Sequence, residues 1–80
     1  MKLEQGQRLR VKETFYASKV PVMAGWVVVI DWVKVDVDPE NRRYEVTVSL
    51  TPVEPAGKTI LWGRSSPLDE AYLDQLFAPM

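Results

Sequence analysis

The chain has 80 residues, 46% hydrophobic and 26% charged, with 10 Lys+Arg against 11 Asp+Glu. That is the make-up of one small folded domain spanning residues 1–80, not of a disordered segment. It holds neither Cys nor His, which excludes disulfides, thiolate nucleophiles and Cys-ligated metal sites, along with the usual general base and the imidazole pH switch.

Arg8 to Tyr16 alternates, with Leu9, Val11 and Phe15 on one face, Glu13 being the exception there, and Arg8, Arg10, Lys12 and Thr14 on the other. Period two predicts a half-buried strand. Ala17 to Gly25 reads as a loop around Pro21 and Gly25, its Val20, Val22 and Met23 tucked against the core. Trp26 to Val37, WVVVIDWVKVDV, is rich in β-branched and aromatic residues and predicts a long strand. Extended flat it would run about 40 Å, so a bend is expected within it.

Asp38-Pro39-Glu40-Asn41 has turn chemistry at every position. The strand beyond it, Arg42 to Thr51, puts Tyr44, Val46, Val48 and Leu50 on one face. Closing a four-residue loop between Val37 and Arg42 sets Val35 opposite Tyr44, Asp36 opposite Arg43 and Lys34 opposite Glu45. Those opposite-charge pairs favour it over a three-residue loop with Asn41 in a bulge, which sets Asp36 beside Tyr44. Pro52 to Gly57 reads as a loop and Lys58 to Arg64 as a short strand. Ser66-Pro67-Leu68-Asp69 reads as a helix start, with Ser66 as N-cap, and a helix is expected over 67–77 with Leu68, Tyr72, Leu73, Leu76 and Phe77 on its apolar side.

Four to five strands and a terminal helix predict a mainly β fold. Its architecture resembles a small SH3-like barrel, or an OB-like one, with the helix closing one end. No family motif is recognised, and architecture does not imply function. Met1 to Arg8 is polar and carries no signal-peptide pattern. The longest apolar run, Val20 to Ile30, is too short to span a bilayer as a helix. The chain starts at Met with no visible tag and reads as a complete small cytoplasmic protein with no membrane contact.

Motifs for chemistry are weak. Gly57-Lys58-Thr59 imitates the tail of a phosphate-binding loop but has Pro52 where a Gly is needed and a strand where a helix should follow. Asp36 to Asn41 imitates the opening of a calcium loop but lacks its Gly and its bidentate Glu. Asp31, an acid inside an apolar strand, has no visible partner for acid–base work and reads as a residue at a strand bend. Ser65 and Ser66 have no base beside them. No catalytic residue, metal site or cofactor is assigned, and enzyme is the least favoured class.

Two surface features remain. Arg8, Arg10 and Lys12 form a stripe of three cations on one strand face, either a contact surface for acidic groups or a charged edge that deters aggregation. Trp32 and Trp62 read as facing outward among Lys34, Lys58 and Arg64, whereas Trp26 reads as core; the alternative for both outward tryptophans is cover by the terminal helix. Charge is graded along the chain: five basic and two acidic residues in 1–30, five and six in 31–64, and three acids without a base in 65–80. The expectation is an accessory module that docks on a protein partner through Arg8, Arg10, Lys12, Trp32, Trp62 and Arg64. Nucleic-acid binding by the basic strand and a stacking Trp is the second reading, disfavoured by a pI near 5.3. Self-association through the charge gradient is the third.

Overall fold

The computed structural model describes all 80 residues. Its elements are β1 (Arg8–Val11), β2 (Phe15–Ala17), β3 (Val20–Val22), β4 (Val27–Asp38), β5 (Arg43–Glu54), β6 (Ile60–Arg64), α1 (Glu70–Leu76) and β7 (Phe77–Pro79). The fold is mainly β, as the alternation predicts. Five strands form one antiparallel sheet in the order β6-β5-β4-β1-β7, and β2 and β3 form a separate hairpin. The sheet does not close: β6 and β7 are its two edges, so a closed barrel is not formed.

The core is built by the inward residues of every element. Leu9 and Val11 of β1, Val28 and Ile30 of β4, Val46, Val48 and Leu50 of β5, and Trp62 of β6 meet Phe15, Val22 and the helix residues Leu73 and Leu76. Phe15, Trp62 and Phe77 form an aromatic cluster with ring centroids 4.8 to 6.4 Å apart. Through it the β2–β3 hairpin is held against β6, where the Gly63 N–H also donates to Ser18 Oγ.

Several boundaries differ from the sequence expectation. The strand expected over Arg8 to Tyr16 is two strands in different sheets. The chain leaves β1 at Lys12, Thr14 Oγ1 accepts from the Ala24 N–H, and Phe15 begins the hairpin. Ser18 and Lys19 both have positive φ, 49° and 72°, and join Ala17 to Val20 in a two-residue turn of the kind that suits strand twist. The expected loop is therefore half strand, and of the three residues expected to tuck against the core only Val22 is buried; Val20 and Met23 are exposed.

Helix α1 starts later than expected. Its N-cap is Asp69, which accepts from the Ala71 N–H, while Ser66 Oγ accepts from Arg64 instead. It ends at Leu76, and Phe77–Pro79 pairs with β1 as an edge strand where a last helical turn was expected. At its other end β5 runs through Pro52 to Glu54, further than predicted. No helix is long and apolar enough to cross a membrane.

The β4–β5 pair positions the surface discussed below. Asp38 pairs with Arg43, Val37 with Tyr44, Asp36 with Glu45 and Val35 with Val46. Both registers weighed from the sequence are displaced from this one. The reason is the turn itself: Asp38 Oδ1 accepts from the Glu40 and Asn41 N–H groups, Oδ2 accepts from Asn41 Nδ2, and Arg42 takes a positive φ of 52°. These bonds place the four loop residues between Asp38 and Arg43, and the turn overrides the charge pairing further along. A bend does occur within β4, at a bulge where Ile30 pairs with Leu50 and Trp32 with Ser49, leaving Asp31 extra.

Candidate interaction surface

The bulge divides β4 into a core half and an arm. Up to Ile30 the strand is flanked on both sides: β1 pairs with Val27–Val29, and Ile30 bonds to Gly6 and Gln7. Beyond it, Trp32–Asp38 pairs with β5 on one side and with nothing on the other. The molecule measures 41 × 25 × 21 Å, and along this arm the inward-facing residues run out past the core. Val33, Val35 and Val37 share the face of Val48, Val46 and Tyr44, yet their exposure climbs from 36% to 52% to 60%. The arm's apolar face is thus covered at its root and bare at its tip.

That face forms one wall of a groove of about 280 Å³. Val33, Val35, Tyr44 and Val46 line it on the sheet side; Leu3 and Leu68 are among the residues that line it opposite. The N-terminal segment is held across it because the Met1 amine donates to Asp74 Oδ1 at 2.8 Å and pairs with Glu70. The Asp74 bond raises the amine's pKa above its ordinary value. The sequence reading missed this strip. The valines at 33, 35 and 37 alternate as core residues do, so their spacing alone does not mark a bare face.

A second groove, of about 530 Å³, lies where β5 extends past the end of β6. Arg42, Arg43 and Arg64 line it together with Tyr44, Glu45 and Ser65. Arg64 is engaged within the molecule: its guanidinium stands over Tyr72 at 4.8 Å and over Trp62 at 5.8 Å, and it donates to Ser66 Oγ.

The six residues singled out from sequence do not form one surface. Arg8 and Arg10 lie on the outer face of β1, which is an inner strand of the sheet, so the charged-edge reading does not apply to them. Arg10 donates to the Gly25 carbonyl. Lys12, past the end of the strand, donates to the Asp74 carbonyl of α1. Trp32 is on the outer face and 41% exposed, as predicted. Trp62 is 4% exposed and belongs to the aromatic core, which corrects the outward placement. β6 does alternate, but with the opposite facing: Ile60, Trp62 and Arg64 face inward, and Leu61 faces out. Trp26 is only partly buried, at the margin of the core.

Asp31 has the structural role foreseen at a bend, with side-chain partners that sequence did not reveal. Its Oδ2 accepts from Ser49 Oγ at 3.0 Å and from Thr51 Oγ1 at 2.7 Å, and Thr51 continues to Thr59. Trp32 and Leu61, both exposed, flank this row from the two strands beside Ser49. The Gly57-Lys58-Thr59 stretch is a connection between β5 and β6, with the Gly57 N–H turned back to the Pro52 carbonyl.

Comparison with protein-family models, with curated proteins and with solved structures finds no match to this chain.

Proposed function

We propose that this protein is a small non-catalytic interaction module, an accessory subunit that docks on a protein partner in the manner of SH3-like and OB-like domains. One observation carries the reading: the valine strip of the β4–β5 arm, bare at its tip and walled by Leu3 and Leu68 into a groove. Contiguous exposed apolar surface rimmed by polar groups is the ordinary mark of a protein contact site. The polar groups at this groove are Lys2 and Glu70. The site therefore differs from the one expected from sequence, although the class of function is the same.

The test is a comparison of captures from lysate by the wild-type chain, Leu68→Lys and Tyr44→Ala, each shown to be folded by circular dichroism. A partner held by the wild type and released by both groove variants supports docking at the groove. A partner held equally by all three places the contact elsewhere and overturns the reading.

Nucleic-acid binding is the second reading. In its favour, Arg8 pairs with Val29 and so shares the outer sheet face with Trp32. Against it, Lys12 is turned to α1, Trp62 is buried, and Asp31 lies along β4 between Val29 and Trp32. Titration of Trp fluorescence with a short single-stranded oligonucleotide at low salt separates the two readings, since a stacked Trp32 is quenched and the quenching weakens as salt rises.

A further inference from the structure

The free edge of the arm has a chemistry of its own, separate from the groove. Ile30 directs both its N–H and its carbonyl away from β5, toward Gln7 and Gly6. The extra residue at the bulge resets the alternation, because Trp32 pairs with Ser49 where an unbroken ladder would carry Asp31. Beyond it, Val33, Val35 and Val37 are the residues whose N–H and carbonyl groups point out of the free edge. Nothing in the chain reaches them: no backbone bond outside the strands involves residues 31–38. Seven residues of unpaired, regular β edge, bearing valines on one face, are a template for another strand.

We propose that the occupant of this edge is a second copy of the same chain, β4 pairing with β4 antiparallel about a two-fold axis at Val35. The argument is the register. With Val35 opposite Val35, Val33 meets Val37 at both ends, so the valine strips merge on one face. On the other face Lys34 meets Asp36, and by symmetry Asp36 meets Lys34. Sliding the pairing by two residues one way sets Lys34 against Lys34, and sliding it the other way sets Asp36 against Asp36. Opposite charges directly across an antiparallel pair stabilise it and like charges oppose it. The Asp36–Asp36 register also brings Lys34 opposite Asp38, but among neighbouring registers that keep the faces only the one centred on Val35 has opposite-charge pairs and no like-charge pair. Val35 is also one of the residues whose backbone groups point outward, so the central pair exchanges both hydrogen bonds. A two-fold contact needs a self-complementary surface, and the run Val33-Lys34-Val35-Asp36-Val37 is one. In the single chain Lys34 and Asp36 hold each other at 3.6 Å and are both largely exposed, free to exchange partners. The product is a ten-stranded sheet across two chains, with their grooves on one face. This inference goes beyond docking at the groove and stands without it, because the edge pairs whether or not a partner fills the groove.

The experiment is sedimentation equilibrium of the full chain over a range of concentrations, with two single variants and their combination. The wild type is expected to pass from 9.2 kDa to twice that mass as concentration rises. Lys34→Asp alone, and Asp36→Lys alone, each turn two attractive pairs into two repulsive ones and are expected to weaken the dimer about tenfold or more. The double variant restores opposite charges and is expected to restore the dimer. Val35→Pro removes an outward donor without touching the β5 ladder and abolishes pairing while leaving the circular dichroism of the monomer. A wild type that stays at one chain mass at every concentration overturns the proposal, as does a dimer whose strength the charge reversals leave unchanged. The groove variants Leu68→Lys and Tyr44→Ala leave the dimer intact, which keeps a failure of this pairing distinct from a failure of docking.

Discussion

Asp36 of β4 stands directly opposite Glu45 of β5, two carboxylates facing each other across an antiparallel pair. Like charges in that position oppose pairing, and Lys34, 3.6 Å from Asp36 along the same strand, offsets part of that repulsion. The arm keeps this register because the Asp38 turn fixes it. Replacing Glu45→Lys gives Asp36 an opposite charge and is expected to stabilise the monomer by about 0.2–1 kcal/mol, read as a rise in thermal midpoint. A fall would mean that the arm pairs in another register.

Trp62 and Trp32 differ in the same direction in every probe. Trp62 fills the space between Phe15 and Phe77, so Trp62→Ala should cost about 3–5 kcal/mol. Trp32→Ala removes an exposed ring and should change stability by less than about 1 kcal/mol. Chemical denaturation checks both. Acrylamide quenching of the intact chain should reach Trp32 and spare Trp62.

Asp31 holds the bulge. Its carboxylate is the acceptor for the buried Ser49 hydroxyl and for Thr51. Asp31→Ala leaves a buried donor without its partner and is expected to cost about 1–3 kcal/mol. Asp31→Asn keeps an acceptor oxygen and should recover part of that loss. Equal stability of both variants with the wild type would remove this role.

The turn carries a pH dependence on the acid side. Hydrogen bonds from the Asn41 side chain, then from the Asn41 and Glu40 backbone, hold the Asp38 carboxyl below the ordinary 3.8. A carboxyl whose pKa is lowered by folding contributes stability above the unfolded value and loses it as pH falls through the folded one. The turn is therefore intact at neutral pH and loosens only below the ordinary aspartate range. An NMR titration should give Asp38 a midpoint under 3.8, and Asn41→Ala should raise it.

Much of the fold was legible because alternation is a direct record of a two-faced sheet. Tyr44, Val46, Val48 and Leu50 share one face as their spacing requires, and the length of Trp26 to Val37 announced the bend that Asp31 makes. Local chemistry was less readable. The Ser18–Lys19 turn contains no Gly or Asn, so nothing in it marks a positive φ. Ser66 and Asp69 both suit an N-cap, and it is Asp69 that caps the helix while Ser66 accepts from Arg64. Phe77 continues the helical spacing yet pairs with β1. The candidate surface was hidden for a related reason. In β6 the apolar residues Ile60, Leu61 and Trp62 are consecutive, so alternation cannot say which face is inside. In β4 the valines at 33, 35 and 37 look like core residues, and only the course of β1 leaves them uncovered.

The measurement that tests the account most directly is amide hydrogen exchange along the arm, at low and at high protein concentration. The account predicts that Lys34 and Asp36, bonded to β5, exchange slowly at both. Val33, Val35 and Val37 should exchange fast in dilute protein and become protected as concentration rises. If the three valine amides are unprotected at both concentrations, or protected at both, the arm's edge is not the open contact surface described here.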